Sequence, residues 1–156
     1  MEEKKLTILE TAILFKEKSL CEEHFYSSED ALSEEDREFL AKAVNTLVKT
    51  TFDDKIHKFS MGEYKILIKL KNLKLNKDGD GENPPLAIYC IAEKKADQNL
   101  VNNCMEDAII QFLNQFSIND IVKKDPSKFK KFNKQLKKIF KEIALKPEDR
   151  FKSILF

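Results

Sequence analysis

The spacing of apolar and polar positions changes several times along the chain, and each change marks an element. Thr7 to Lys16 is apolar at Ile8, Leu9, Ala12, Ile13, Leu14 and Phe15, with enough β-branched residues to predict a strand buried on both faces. After Glu17-Lys18-Ser19, the segment Leu20 to Ser27 alternates loosely and ends in Phe25-Tyr26. It reads as a second strand joined to the first by a tight hairpin, with Glu22, Glu23 and His24 placing it toward an edge. Ser33 then offers an N-cap, followed by Glu34, Glu35 and Asp36 where the helix dipole favours carboxylates. Phe39, Leu40, Ala43, Val44, Leu47 and Val48 recur at helical spacing and make one stripe able to cover a sheet.

Around Asp53-Asp54 the period changes again. Lys55 to Ser60 and Glu63 to Leu73 read as two strands joined at Met61-Gly62. Tyr64, Ile66, Ile68 and Leu70 fall on one face of the second, opposite Lys65, Lys69 and Lys71. Residues 76–85 hold two of the three glycines and two of the four prolines and predict a loop. Leu86 to Ala92 is a continuous apolar run, expected in the sheet interior.

Two helices are expected to follow. The first, capped by Asp97, keeps Leu100, Val101, Cys104, Met105, Ala108, Ile109, Phe112, Leu113 and Phe116 at helical spacing. The second has Asp125 as cap, Pro126 at the first position, and Phe129, Phe132, Leu136, Ile139, Phe140 and Ile143 on its apolar face. Its other face carries Lys128, Lys130, Lys131, Lys134, Lys137, Lys138 and Lys141. Residues 147–156 form a tail with Phe151, Ile154, Leu155 and Phe156, expected either to dock on the body or to form part of a partner site.

The order strand, strand, helix, three strands, helix, helix predicts an α/β (α+β) domain: a mainly antiparallel sheet in a three-layer α/β/α sandwich, over residues 1–146. This pattern resembles the longin-like domains of membrane-traffic proteins, within the profilin-like and roadblock-like group of folds. The resemblance rests on the element order, on Ile13-Leu14-Phe15 through Glu23-His24-Phe25-Tyr26, on Leu86-Ala87-Ile88-Tyr89-Cys90-Ile91-Ala92, and on the helix ending Phe112-Leu113-Asn114-Gln115-Phe116. It covers roughly residues 7 to 145 as a pattern. It implies a five-stranded sheet ordered 2-1-5-4-3, with one helix on one face and two on the other. Longin SNARE proteins carry a heptad segment and an anchor after the domain, and neither is read in this sequence, so fusion activity is not expected and free-standing adaptor subunits and regulators of trafficking GTPases look closer.

Length and composition agree with one domain. The chain has 156 residues, 42% hydrophobic and 35% charged, enough to bury a core beneath a well-solvated surface. There is no run of 18 apolar residues and no secretory pattern at Met1-Glu2-Glu3-Lys4-Lys5, and three cysteines make no disulfide framework, so a cytoplasmic location is expected. The net charge of +1 hides a polarity: residues 1–40 hold five basic and twelve acidic residues, a balance of −7, whereas residues 117–156 hold twelve and five, a balance of +7.

Candidate chemistry is sparse. Asn76 to Glu82 opens like a calcium loop, but its twelfth position is Ala87 where a bidentate Glu is needed, and Pro84-Pro85 block the helical exit. His24 and His57 have no Cys or His at metal-ligand spacing, Cys90 and Cys104 read as core, and Cys21 as more exposed. With no phosphate-cradle or nucleophile-elbow motif, no cofactor is implied and a non-catalytic chain is expected.

Three functions are therefore weighed. The first is a protein-interaction domain serving as subunit or regulator in small-GTPase or vesicle-traffic machinery, paired with a GTPase or another longin- or roadblock-like subunit as homo- or heterodimer. The second is a profilin-type actin-binding protein, disfavoured because the chain opens on a strand. The third is an enzyme with an unrecognised site. The seven lysines of the last helix are the candidate contact for an acidic protein or the anionic surface of a membrane; nucleic acid is not expected, because the aromatic residues of this helix lie on its apolar side.

Overall fold

The computed structural model describes residues 8–25, 32–50, 55–73, 85–123 and 125–144. Five strands, β1 (Ile8–Phe15), β2 (Lys18–His24), β3 (His57–Met61), β4 (Tyr64–Lys71) and β5 (Leu86–Glu93), form one sheet in the order β2-β1-β5-β4-β3. Every neighbouring pair is antiparallel. The fold is thus mixed α/β with the expected strand order. β1 and β5 lie inside the sheet, as their apolar runs require, and β2 and β3 form its two edges.

Four α-helices are found among the described residues where three were expected: α1 (Glu34–Thr50), α2 (Gln98–Gln115), α3 (Ile118–Lys123) and α4 (Asn133–Ala144). The caps read from the sequence are in place. Ser33 Oγ accepts from the Asp36 amide at 3.1 Å, and Asp97 accepts from the Asn99 and Leu100 amides. The expected single last helix is instead a 3-10 segment, Pro126–Phe132, running into α4. A three-residue turn aligns side chains at i and i+3, and here it turns Phe129 and Phe132 together onto Phe112 and Phe116, with ring centroids 4.9 to 6.3 Å apart. α3 went unread because its six residues are too short to show a period.

Strand alternation divides the core in two. Ile66, Ile68, Tyr89 and Ile91 pack with Leu40, Ala43, Val44 and Leu47 of α1. Leu67, Ile88, Cys90 and Ala92 pack with residues of α2, α3, the 3-10 segment and α4. Two bulges adjust the alternation. Against β5, the register of β1 shifts between Ile8 and Glu10, so Leu9 is the extra residue and lies on the α1 side together with Glu10 and Ala12. Against β2 it shifts between Ile13 and Leu14, which leaves Leu20 and Cys21 both in the cluster that holds α2 and α4.

Several side chains differ from expectation. Lys65 and Lys69, read as a polar face of β4, are buried, because α2 and the turn before it lie over that side of the strand. Cys21 is 1% exposed, since it lies opposite Ile13 and faces the same core cluster. Phe39 and Leu100, placed on buried stripes, are 42% and 43% exposed; each sits at the margin of its stripe. The hairpin between β3 and β4 turns at Gly62-Glu63, and Met61 belongs to β3. Tyr26-Ser27, Asp53-Asp54, Asn76 to Glu82 and the tail 147–156 lie outside the described residues.

Candidate functional site

The lysine face is built by two helical periods in sequence. In α4, Lys134, Lys137, Lys138 and Lys141 stand at i, i+3, i+4 and i+7, which at 100° per residue confines them to one stripe. Leu136, Phe140 and Ile143 occupy the other side and are buried. In the preceding 3-10 segment Lys128, Lys130 and Lys131 are exposed while Phe129 and Phe132 anchor the backbone. All seven predicted lysines are therefore exposed and follow one another along one edge of the molecule. Among the described residues none of the seven is in an ion pair, and Lys131 lies over the Phe116 ring at 5.3 Å from its centroid.

The segment is held to the sheet by more than apolar contact. Asn133, where the 3-10 turn passes into α4, accepts a hydrogen bond from the Glu22 amide of β2 at 2.8 Å through its side-chain oxygen. One outward amide of the edge strand is satisfied in this way, and the lysine-bearing segment is fixed to β2. Asp125 caps the segment by accepting from the Ser127 amide at 2.9 Å. That bond, with the nearby Lys18 and Lys128 charges, holds its carboxyl below the usual carboxylate value.

A second cluster was not read from the sequence. Glu10, in the middle of an inner strand, has no exposed surface, yet it is fully partnered. Both guanidinium branches of Arg37 donate to its two oxygens, Tyr89 Oη donates to Oε2, and His24 Nε2 lies 3.4 Å from Oε1. Burial pushes the Glu10 carboxyl up, but the bonds from Arg37 and Tyr89 and the positive charge of Arg37 outweigh it and hold it below its ordinary value. Tyr89 is driven the other way, by burial and then by the adjacent carboxylate. The cluster ties β1, β2, β5 and α1 together. One signal was available: a single carboxylate in Ile8-Leu9-Glu10-Thr11-Ala12-Ile13, against a chain with only two arginines.

A third polar set lies beneath α2. Lys65 Nζ donates to the Ala96 carbonyl at 2.6 Å, and Lys69 Nζ to Asn102 Oδ1 at 3.2 Å and to Glu106. Burial and then the nearby Lys58 charge lower the Lys65 ammonium from its ordinary value. Lys65 thus ties β4 to the turn that precedes α2, and Lys69 ties it to α2 itself.

The remaining candidates do not converge. His24 and His57 lie on β2 and β3, at opposite edges of the sheet. Burial raises the Cys21 and Cys90 thiols, so neither has thiolate character. Cys104 is half-buried on α2 and faces the Ile139 carbonyl at 3.5 Å. Among the described residues no group of three or more His, Cys, Asp or Glu is placed to hold a metal, and no helix is long and apolar enough to cross a membrane. No family model matches the chain, and no curated protein matches it.

Proposed function

We propose that the chain is a longin-like protein-interaction domain, a subunit or regulator in small-GTPase or vesicle-traffic machinery on the cytoplasmic side of membranes. The observation that carries this reading is the strand order β2-β1-β5-β4-β3, antiparallel throughout, with the hairpin β1–β2 and the three strands β3–β5 separated by α1. The division of the core into an α1 cluster and a cluster holding the later helices supports a three-layer sandwich of the longin type, with β1 and β5 at its centre. Its partner is a small GTPase or another longin- or roadblock-like subunit. Of the two edges, β3 is the one suited to pairing, because the outer side of β2 already receives Asn133 and the 3-10 segment.

Affinity capture with the full chain, followed by reconstitution from purified components, tests this reading. Stoichiometric recovery of a small GTPase or a longin- or roadblock-like subunit is expected. Recovery of actin with no such protein would replace it with the profilin-type alternative. Light scattering separates homodimer from heterodimer: a chain that stays monomeric at every accessible concentration leaves only the heterodimer.

A further inference from the structure

We infer that the lysine face of the 3-10 segment and α4 docks on an anionic bilayer, as a peripheral electrostatic contact independent of the partner proposed above. Seven exposed lysines follow one edge of the molecule; none is in an ion pair among the described residues, and only Lys128 has a carboxylate, Asp125, close enough to feel its charge. Such a surface calls for an acidic counterpart.

The residue type selects which counterpart. Recognition of single carboxylates or phosphates favours the planar, bidentate guanidinium, whereas an ammonium on a flexible stem acts as a point charge that adapts to a fluid array of headgroups. Every cation of this face is lysine and none is arginine. Nucleic acid does not fit, because Phe129, Phe132 and Phe140 are buried and leave no ring on which a base could stack. No apolar side chain of this segment is exposed among the lysines, so the contact rests on charge and must weaken with salt.

The polarity of the molecule orients it. The acidic first turn of α1, Glu34-Glu35-Asp36, belongs to an element packed in the other core cluster, away from α4. An anionic surface that attracts one side therefore repels the other.

The test is flotation of the full chain with vesicles of phosphatidylcholine containing about one-third phosphatidylserine, and with phosphatidylcholine alone, at low salt and at ~0.5 M salt. The chain should float with the anionic vesicles at low salt only. Reversing three charges, in Lys130→Glu, Lys134→Glu, Lys137→Glu, should reduce partitioning on the order of a hundredfold. A Lys134→Gln, Lys137→Gln, Lys138→Gln variant, expected to show a smaller loss, guards against a folding defect, with circular dichroism as the check. Lys42→Glu, Lys49→Glu on the exposed side of α1 should bind like wild type. The inference is overturned if the unaltered chain fails to float with anionic vesicles at low salt, or if a folded triple variant floats equally well. It is overturned equally if the lysines instead support a salt-sensitive self-association, seen by light scattering, that the triple variant abolishes while vesicles capture nothing.

Discussion

Arg37, on the first turn of α1, donates to both oxygens of the buried Glu10 on β1, Nη1 to Oε2 at 2.6 Å and Nη2 to Oε1 at 2.5 Å. The two residues are 27 positions apart, and their pairing sets how α1 lies on the sheet. Removing one partner of a buried pair leaves the other charge stranded, which costs about 3–5 kcal/mol when both are fully enclosed. The Arg37 side chain is 38% exposed, so solvent screens part of that loss. Arg37→Met should therefore lower unfolding free energy by about 2 kcal/mol, read from urea denaturation, and Tyr89→Phe by less. An Arg37→Met chain as stable as wild type would show that water or His24 replaces the guanidinium.

The same carboxylate gives stability a pH dependence. Burial favours its neutral form, but the bonds from Arg37 and Tyr89 prevail and keep the folded-state value below the ordinary 4.5. In the unfolded chain the group takes up its proton near that ordinary value, so its contribution is complete above it. The contribution is lost as pH falls through the lower folded value. Wild type should lose stability more steeply than Glu10→Gln on acidification below pH 4.5, measured as urea midpoints across the acid range. Parallel slopes would contradict the assignment.

The strands and the starts of α1 and α2 were legible because apolar spacing reports burial directly, whereas the order of the strands followed from the longin-like resemblance and not from spacing. Leu86 to Ala92, apolar at every position, had to lie inside a sheet covered on both sides, and β5 does. The polar residues of the interior were hidden for the same reason. Glu10 shares the α1 side with Ala12 and Leu14, but the bulge at Leu9 breaks the alternation just before it, and a bulge leaves no periodic trace. Lys65 and Lys69 alternate with apolar neighbours as solvated residues do, and it is the path of α2 and of the turn leading into it that buries them. The lysines of α4, by contrast, were readable as a face, since the apolar stripe opposite them fixes which way they point.

The β1–β2 hairpin turns at Lys16 and Glu17, both with positive φ, 50° and 66°. Two consecutive left-handed residues fit a type I′ turn, which favours Asn-Gly, and side chains beyond Cβ are strained there. Glu17→Gly should raise stability by about 1 kcal/mol, and adding Lys16→Asn should raise it further. Unchanged urea midpoints would contradict the strain.

Phe112 sits at the junction of α2 with the 3-10 segment, fully buried, with the rings of Phe116, Phe129 and Phe132 within 5.7 Å of its own. Phe112→Ala should cost about 3–5 kcal/mol. Because Phe129 and Phe132 carry the lysine-bearing segment, the same change should loosen it first. Hydrogen exchange should show amides of 127–132 losing protection before those of β5.

The interaction-domain reading meets its most direct test in binding measured with purified proteins. The full chain would be titrated side by side with monomeric actin, with small GTPases loaded with either guanine nucleotide, and with longin- and roadblock-like subunits. Saturable, stoichiometric binding to a GTPase or to one of the subunits is expected, and none to actin. Saturable binding to actin alone would contradict it.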